Sequence, residues 1–176
     1  YQIHRPDTLT HPAVLAATLD RLRRDGKIAE AGLSNTTPAQ TRALAAHLPF
    51  KLAAIQPRFS AVAIEPLSDG VLDLAMELGL AVLAWSPLGG GALAGEGEGE
   101  RGRAVAAILD RLAAREGVAR SAIACAWIMA HPARPIPIIG SQTPERIAEA
   151  ARASQVTLSR VEWYEILTAA RGEPLP

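Results

Sequence analysis

Ile136-Pro137-Ile138-Ile139-Gly140-Ser141-Gln142-Thr143-Pro144-Glu145-Arg146-Ile147 reads as an apolar strand that stops at a glycine and passes directly into a helix. Thr143 is a natural N-cap, and Pro144 suits the first helical position, where a missing N–H is no loss. Such a junction aims unpaired backbone N–H groups, a hydroxyl and the Arg146 guanidinium past the end of the strand, which are the makings of an anion site. Capping alone accounts equally well for the Gly, Ser and Thr. The stretch therefore fixes a β-to-α connection and leaves its ligand open.

Working outward, short apolar runs alternate with amphipathic ones, the pattern of repeated βα units on a parallel sheet. Strands are predicted at residues 1–4, 28–33, 52–56, 81–85 and 136–139. Helices are predicted at 12–24, with Val14, Leu15, Leu19 and Leu22 on one face and Gly26 past its end, at 38–47 behind Thr36 and Thr37, and at 68–78. Further helices cover 102–115 and 120–130, one opens at Thr143, and the last runs over 159–170 behind the capping box Ser159-Arg160-Val161-Glu162. Gly89-Gly90-Gly91 and the glycine- and glutamate-rich residues 95–102 read as a mobile surface loop.

The 176 residues suffice for one domain with a real core, spanning 1–176. With 49% apolar residues and 18 basic against 18 acidic side chains, the balance argues against a nucleic-acid partner. Lysine occurs only at Lys27 and Lys51. The single cysteine, Cys125, sits in an apolar run and reads as a buried small side chain rather than a nucleophile. Without a disulfide framework, a signal peptide or an apolar run of membrane length, a cytoplasmic location with no membrane partner is expected.

Parallel α/β folds bind ligands at the C-terminal ends of their strands. Here those ends read His4-Arg5-Pro6-Asp7, Ser34-Asn35, Gln56-Pro57, Trp85-Ser86-Pro87-Leu88-Gly89 and Gly140-Ser141-Gln142. All are polar or aromatic. Capping does not easily produce five such ends together, although Ser34 and Asn35 singly suit turns.

In order and spacing, Gln2-Ile3-His4-Arg5-Pro6-Asp7, Gly32-Leu33-Ser34-Asn35, Ile55-Gln56, Ala84-Trp85-Ser86-Pro87-Leu88-Gly89-Gly90-Gly91 and Ile138-Ile139-Gly140-Ser141-Gln142-Thr143-Pro144-Glu145-Arg146-Ile147 resemble the aldo-keto reductases. The bacterial branch that carries the Trp-Ser-Pro-Leu-Gly-Gly-Gly loop is the most similar. The resemblance implies a (β/α)8 TIM barrel that reduces aldehydes or ketones, a small-molecule carbonyl substrate, and NADP(H) as cofactor; it implies no metal. By the same resemblance Ser34, Asn35 and Gln56 hold the nicotinamide carboxamide, Trp85 stacks on the ring, and Ser86, Leu88 and Gly89 pass over the diphosphate. Ser141, Thr143 and Arg146 match residues around the 2′-phosphate, Glu149 matches one that contacts adenine, and His4 matches the catalytic histidine that polarises the substrate carbonyl. Amides supply the donors and acceptors that a carboxamide needs, and an N–H beside the carbonyl oxygen stabilises the charge that hydride attack creates. Two departures stand out: Gly140 replaces a common lysine and Ala150 a common asparagine, which shifts the 2′-phosphate onto Arg146 and the helix N-terminus.

Counted back from the matched motifs, Tyr1 falls in the family's fourth strand. The resemblance then implies an incomplete barrel of five strands and their helices, with three βα units, and the family's catalytic aspartate, tyrosine and lysine, absent from this sequence. Open edges would be covered by the missing N-terminal half, by self-association or by aggregation. A non-catalytic NADP(H)-binding or regulatory protein is the alternative reading, an inert fragment another, and an unrelated phosphate-binding barrel a weaker third. His11, His47 and His131 are assigned no role, and Arg5 and Asp7 are read as loop-ordering residues.

Overall fold

A computed structural model describes residues 1–174 of the chain. Strands β1 (Gln2–Ile3), β2 (Gly32–Ser34), β3 (Ala54–Gln56), β4 (Ala81–Ala84) and β5 (Ile136–Pro137) form one sheet, all parallel and in chain order. The α-helices are α1 (Pro12–Arg24), α2 (Pro38–Ala45), α3 (Val71–Leu78), α4 (Gly99–Glu116), α5 (Arg120–Met129), α6 (Pro144–Ala151) and α7 (Arg160–Arg171). Because each strand pairs with its successor, right-handed crossovers put the connecting helices on one face of the sheet. Among the described residues no helix covers the other face. A doubly wound sheet would reverse direction at a switch point, and this one does not.

Local chemistry sets the helix limits. Helix α1 ends in a Schellman motif: Gly26, at φ +69°, donates to the Arg23 carbonyl at 3.0 Å and Lys27 to that of Leu22 at 2.9 Å. Helix α2 starts with a capping box between Thr37 and Gln40, and α7 with one between Ser159 and Glu162. Helix α3 begins three residues later than the periodicity predicts. Gly70 stands at φ +83°, outside helical space, and the Asp69 carboxylate accepts the Val71 N–H at 2.8 Å.

On the helix side, Leu33, Ile55, Val82 and Ala84 pack into one core with Leu19, Leu44, Leu72, Leu109 and Ile123. Where α5 meets α7 the core is aromatic. Phe59 lies 5.5 Å from Trp127, Trp127 stacks on Trp163 at 5.1 Å, and Tyr164 meets Trp163 edge-on at 5.1 Å. The two indoles exchange bonds, each N–H donating to the other residue's backbone carbonyl at 3.0 Å, which leaves neither buried donor unpaired.

Three further expectations need correction. Residues 28–31 are not strand: Ile28 packs against the core from a loop, and pairing starts only at Gly32. Strand β5 is shortened because Pro135 and Pro137 lack N–H groups; one further ladder bond runs from Ile138 to the Ala84 carbonyl at 2.9 Å. The glycine run at 95–102 also divides, since Gly99 to Gly102 form the first turn of α4 and Gly102 is buried. A Cβ on Gly97 would lie 2.3 Å from the Gly102 carbonyl oxygen, so the absence of side chains here serves close backbone packing.

Candidate active site

Strand alternation decides which side chains share a face. Leu33, Ile55 and Val82 point into the helix-side core, so Gly32 and Ser34, Ala54 and Gln56, and Leu83 point to the helix-free face. Gln2 pairs with Gly32, which puts His4, two residues on, beside Ser34 on that face. Ser34 pairs with Gln56, and a bridge sets Arg58 beside Trp85 one step further out. His4, Ser34, Gln56, Arg58 and Trp85 thus stand on the open face at one edge of the sheet, the edge where the strands end.

Hydrogen bonds tie these ends together. Ser34, buried at 2% exposure, donates from its hydroxyl to the Gln56 carbonyl at 2.8 Å. Asn35, at φ +56°, occupies the left-handed region that asparagine tolerates. Its amide nitrogen donates to the His4 carbonyl at 2.9 Å, and its amide oxygen accepts the Trp85 indole N–H at 2.9 Å. One side chain therefore joins β1, β2 and β4. Each end of that amide keeps a further N–H or lone pair for a ligand. Trp85 is held through its backbone as well, donating to Pro57 at 3.1 Å and accepting from Phe59 at 3.2 Å.

The sequence reading assigns nothing to Arg58. Its guanidinium lies 5.9 Å from the Trp85 ring centroid, and it is exposed. The available signal was parity: two residues beyond Gln56 in an extended segment is the same face.

After Trp85 the chain turns sharply. Ser86 has φ +52°, a strained value for a serine, and Gly89 donates to its carbonyl at 2.8 Å. Short 3-10 turns span Gly89–Ala94, broken at Gly90 and Gly91 with φ +71° and +104°. Leu88 is half-buried and its carbonyl accepts the N–H groups of Gly91 and Leu93, both at 3.1 Å. A Cβ on Gly89 would lie 2.4 Å from Val62 Cγ2, so this loop packs directly on the one that follows β3.

From the neighbouring end of β5, Gly140 to Thr143 lead into α6. Thr143 occupies the N-cap position with Pro144 behind it, yet its hydroxyl makes no capping bond; Ser141 Oγ accepts the Thr143 N–H at 3.1 Å instead. The N–H groups of the first turn receive no side-chain cap, and Arg146 is exposed beside them. Glu149 is 3.8 Å from Arg152.

Other titratable groups lie elsewhere. Asp7 accepts from the Thr10 hydroxyl at 2.6 Å and the Leu9 N–H at 3.0 Å, which holds its carboxyl below the ordinary range and makes it a loop-ordering residue. His11 and His131 accept backbone N–H groups at Nδ1, from Ala13 at 3.2 Å and Ala133 at 3.1 Å. Burial pushes the His131 pKa down against the opposing charge of Asp73. Tyr1 precedes β1, at the opposite edge of the sheet from His4, and Tyr164 packs on α7; Lys27 pairs with Asp25 at 3.4 Å before β2, and Lys51 precedes β3. Cys125 is buried, its thiol pushed up to about 11 by desolvation. A hollow of about 530 Å³ between α5, α6 and β5 is lined by Cys125, Met129, Ile136, Ile139 and Ile147; it is apolar and contains none of the strand-end residues above.

Comparison with known proteins points to one family. The 6-dehydroglucose reductase of Novosphingobium aromaticivorans is 50% identical over 176 residues, all of this chain and 58% of that protein. The oxidoreductase YdhF of Escherichia coli is 37% identical over 174 residues, 99% of this chain and 58% of that one. The chain thus spans little more than half the length of these relatives. Among solved structures, the thermostable aldo-keto reductase Tm1743, crystallised with the inhibitor epalrestat, shares the fold with a TM-score of 0.85 at 21% identity, over 96% of this chain and 58% of that one. The Aldo/keto reductase family model matches residues 1–170. With that match beside a relative 50% identical over the whole of this chain, the chain belongs to the aldo/keto reductase family.

Proposed function

We propose that this chain supplies the cofactor-binding side of an NADPH-dependent reductase of aldehydes or ketones. The observation that carries the reading is the meeting of His4, Ser34, Gln56 and Trp85 on one open face at one edge of the sheet, with Asn35 joining three of the strand ends. The residues present fit the group. An amide that retains a donor and an acceptor suits a carboxamide, Trp85 offers a held aromatic ring, and a loop with three glycines at positive φ lets backbone N–H groups approach a diphosphate. When bound, the dinucleotide supplies the hydride.

The chain's own residues take the remaining parts. Ser34, Asn35 and Gln56 hold the carboxamide, and Trp85 fixes the plane of the ring. Ser86, Leu88 and Gly89 cover the diphosphate. Ser141, Thr143 and Arg146 take the 2′-phosphate, where uncapped N–H groups and a guanidinium both favour an anion, and Glu149 meets adenine. His4 directs an imidazole N–H at the substrate oxygen and stabilises the negative charge that develops there. Proton delivery to that oxygen falls to a group outside this set, since neither tyrosine nor lysine stands on the open face.

A nucleotide-binding protein without turnover is the second reading, and the placement of Tyr1, Tyr164, Lys27 and Lys51 away from that face favours it. Titration of nicotinamide fluorescence together with an aldehyde-reduction assay separates the two. Binding with oxidation supports the reductase, binding alone the second reading, and no binding refutes both. Within the first, Arg146→Ala weakens NADPH on the order of tenfold or more while leaving NADH nearly unchanged, as loss of one charge-assisted phosphate contact implies; equal loss for both nucleotides would remove Arg146 from the 2′-phosphate.

A further inference from the structure

The glycine loop after β4 is fastened at its far end by a residue that no helix rule explains. Arg120 is the first residue of α5, where the helix dipole disfavours a cation, and neither a side-chain cap nor an acidic residue stands in that turn. Its guanidinium points away from the helix. Nε and Nη2 each donate to one oxygen of Asp110 on α4, both at 2.6 Å, in a bidentate fork. The remaining terminal nitrogen, Nη1, donates to the Leu93 carbonyl at 3.3 Å and also to the Gly95 carbonyl. Arg120 is 22% exposed and Asp110 54%, so the pair adds little stability as an ion pair. Its effect is geometric. Leu93 is sealed in the core, Gly89 is wedged against Val62, and Arg120 holds the carbonyls that follow.

We infer that Arg120, oriented by Asp110, is a positioning residue that clasps the segment from Gly89 to Gly95 in the shape that receives the cofactor diphosphate. The inference rests on the reading of that segment as a nucleotide strap. Gly90 and Gly91 have open space around them and positive φ, so no side-chain packing restrains them, and the Gly91 N–H bond to the Leu88 carbonyl is a slight hold from within the loop. Ordering such a segment at the moment of binding would be drawn from the affinity; a clasp ordered beforehand spares it. Lysine could not substitute, since it lacks the planar fork that grips a carboxylate and two carbonyls together.

Because both nicotinamide dinucleotides carry the diphosphate, loss of the clasp must weaken them equally, which separates it from Arg146. The test uses the whole chain and its Arg120→Ala, Arg120→Lys and Asp110→Asn variants, with NADPH and NADH titrated by nicotinamide fluorescence, dissociation followed by stopped flow, and amide exchange measured over Gly89 to Gly97. Arg120→Ala is expected to raise both dissociation constants by the same factor, on the order of tenfold, through faster release. Ethylguanidinium added to that variant restores the affinity, and Arg120→Lys does not. Unchanged affinity with faster loop exchange overturns the proposal, as does a loss confined to NADPH. Asp110→Asn, which keeps the fold's packing intact, gives a smaller loss of the same kind, and its silence beside a destabilised Arg120→Ala protein would also overturn it. If the wild-type chain binds neither nucleotide, the strap reading falls and this proposal with it, while exchange protection in wild type alone would then mark the clasp as architecture only.

Discussion

On one side of the sheet Leu33, Ile55, Val82 and Ala84 are sealed beneath helices; on the other, alternate positions of the same strands carry Gly32, Ser34, Ala54, Gln56 and Leu83 with no helix above them. The helix side is apolar, rich in side chains that fill volume, and its polar atoms pair among themselves, as Trp127 and Trp163 do. Apart from Leu83 the open side is small or polar, and its hydrogen bonds run between strand ends. A parallel sheet with both faces covered would read as unbroken hydrophobic runs. This one alternates, and two of the residues that break the pattern, Ser34 and Gln56, are those proposed to hold the cofactor.

The contrast predicts that stability and ligand chemistry separate by face. The sharpest break is Trp127→Ala, which removes the centre of the aromatic stack and orphans the Trp163 carbonyl; denaturant unfolding should show a loss of about 3–5 kcal/mol. Gly89→Ala lies between the two faces. The new Cβ meets Val62 at 2.4 Å in backbone space that alanine avoids, so stability should fall by about 1–3 kcal/mol and nucleotide affinity should fall with it. A loss in stability with unchanged affinity would detach the loop from the site.

The smallest effect is on the helix side and depends on pH. Glu162 bonds to Arg115 and to the N–H and hydroxyl of Ser159, and these partners hold its carboxyl at about 2, below an ordinary value of 4.5. A depressed acid stabilises the fold above its unfolded pKa, so the contribution is full above about pH 4.5 and lost as the pH falls toward 2. Glu162→Gln should flatten that limb of an acid-unfolding curve. An unchanged limb would assign acid sensitivity to other carboxyls.

Helices were the most legible part of the sequence, because their ends are written in local chemistry. Thr37 ahead of Pro38, Ser159 with Glu162, and Gly26 after Arg24 act over a few residues, and the helices begin or end where they say. Strand lengths were less legible. Whether Ile28 joins a strand depends on a partner across the sheet, and Pro137 limits β5 through bonds that its neighbours cannot make. The glycine run at 95–102 read as mobile because composition does not reveal that Gly97 and Gly102 press backbone on backbone. At the site, motif order pointed to His4, Ser34, Asn35, Gln56 and Trp85, whereas the knot that Asn35 ties between His4 and Trp85 spans 31 and 50 residues and has no local signal. Arg120 was illegible for the same reason, its partners lying 10, 25 and 27 residues away.

The chain's three tryptophans are divided between the two faces, and that division makes the protein its own optical instrument. Trp127, fully buried, stacks on the half-buried Trp163 on the helix side, and the emission of Trp127 should stay blue until the core opens. Trp85 stands half-buried at the rim, tethered to Asn35, where the arrival of any planar ligand should quench it and leave the pair untouched. Selective excitation at the red edge would then follow occupancy of the open face, while the shift of the stacked pair follows unfolding, in one cuvette and without a label.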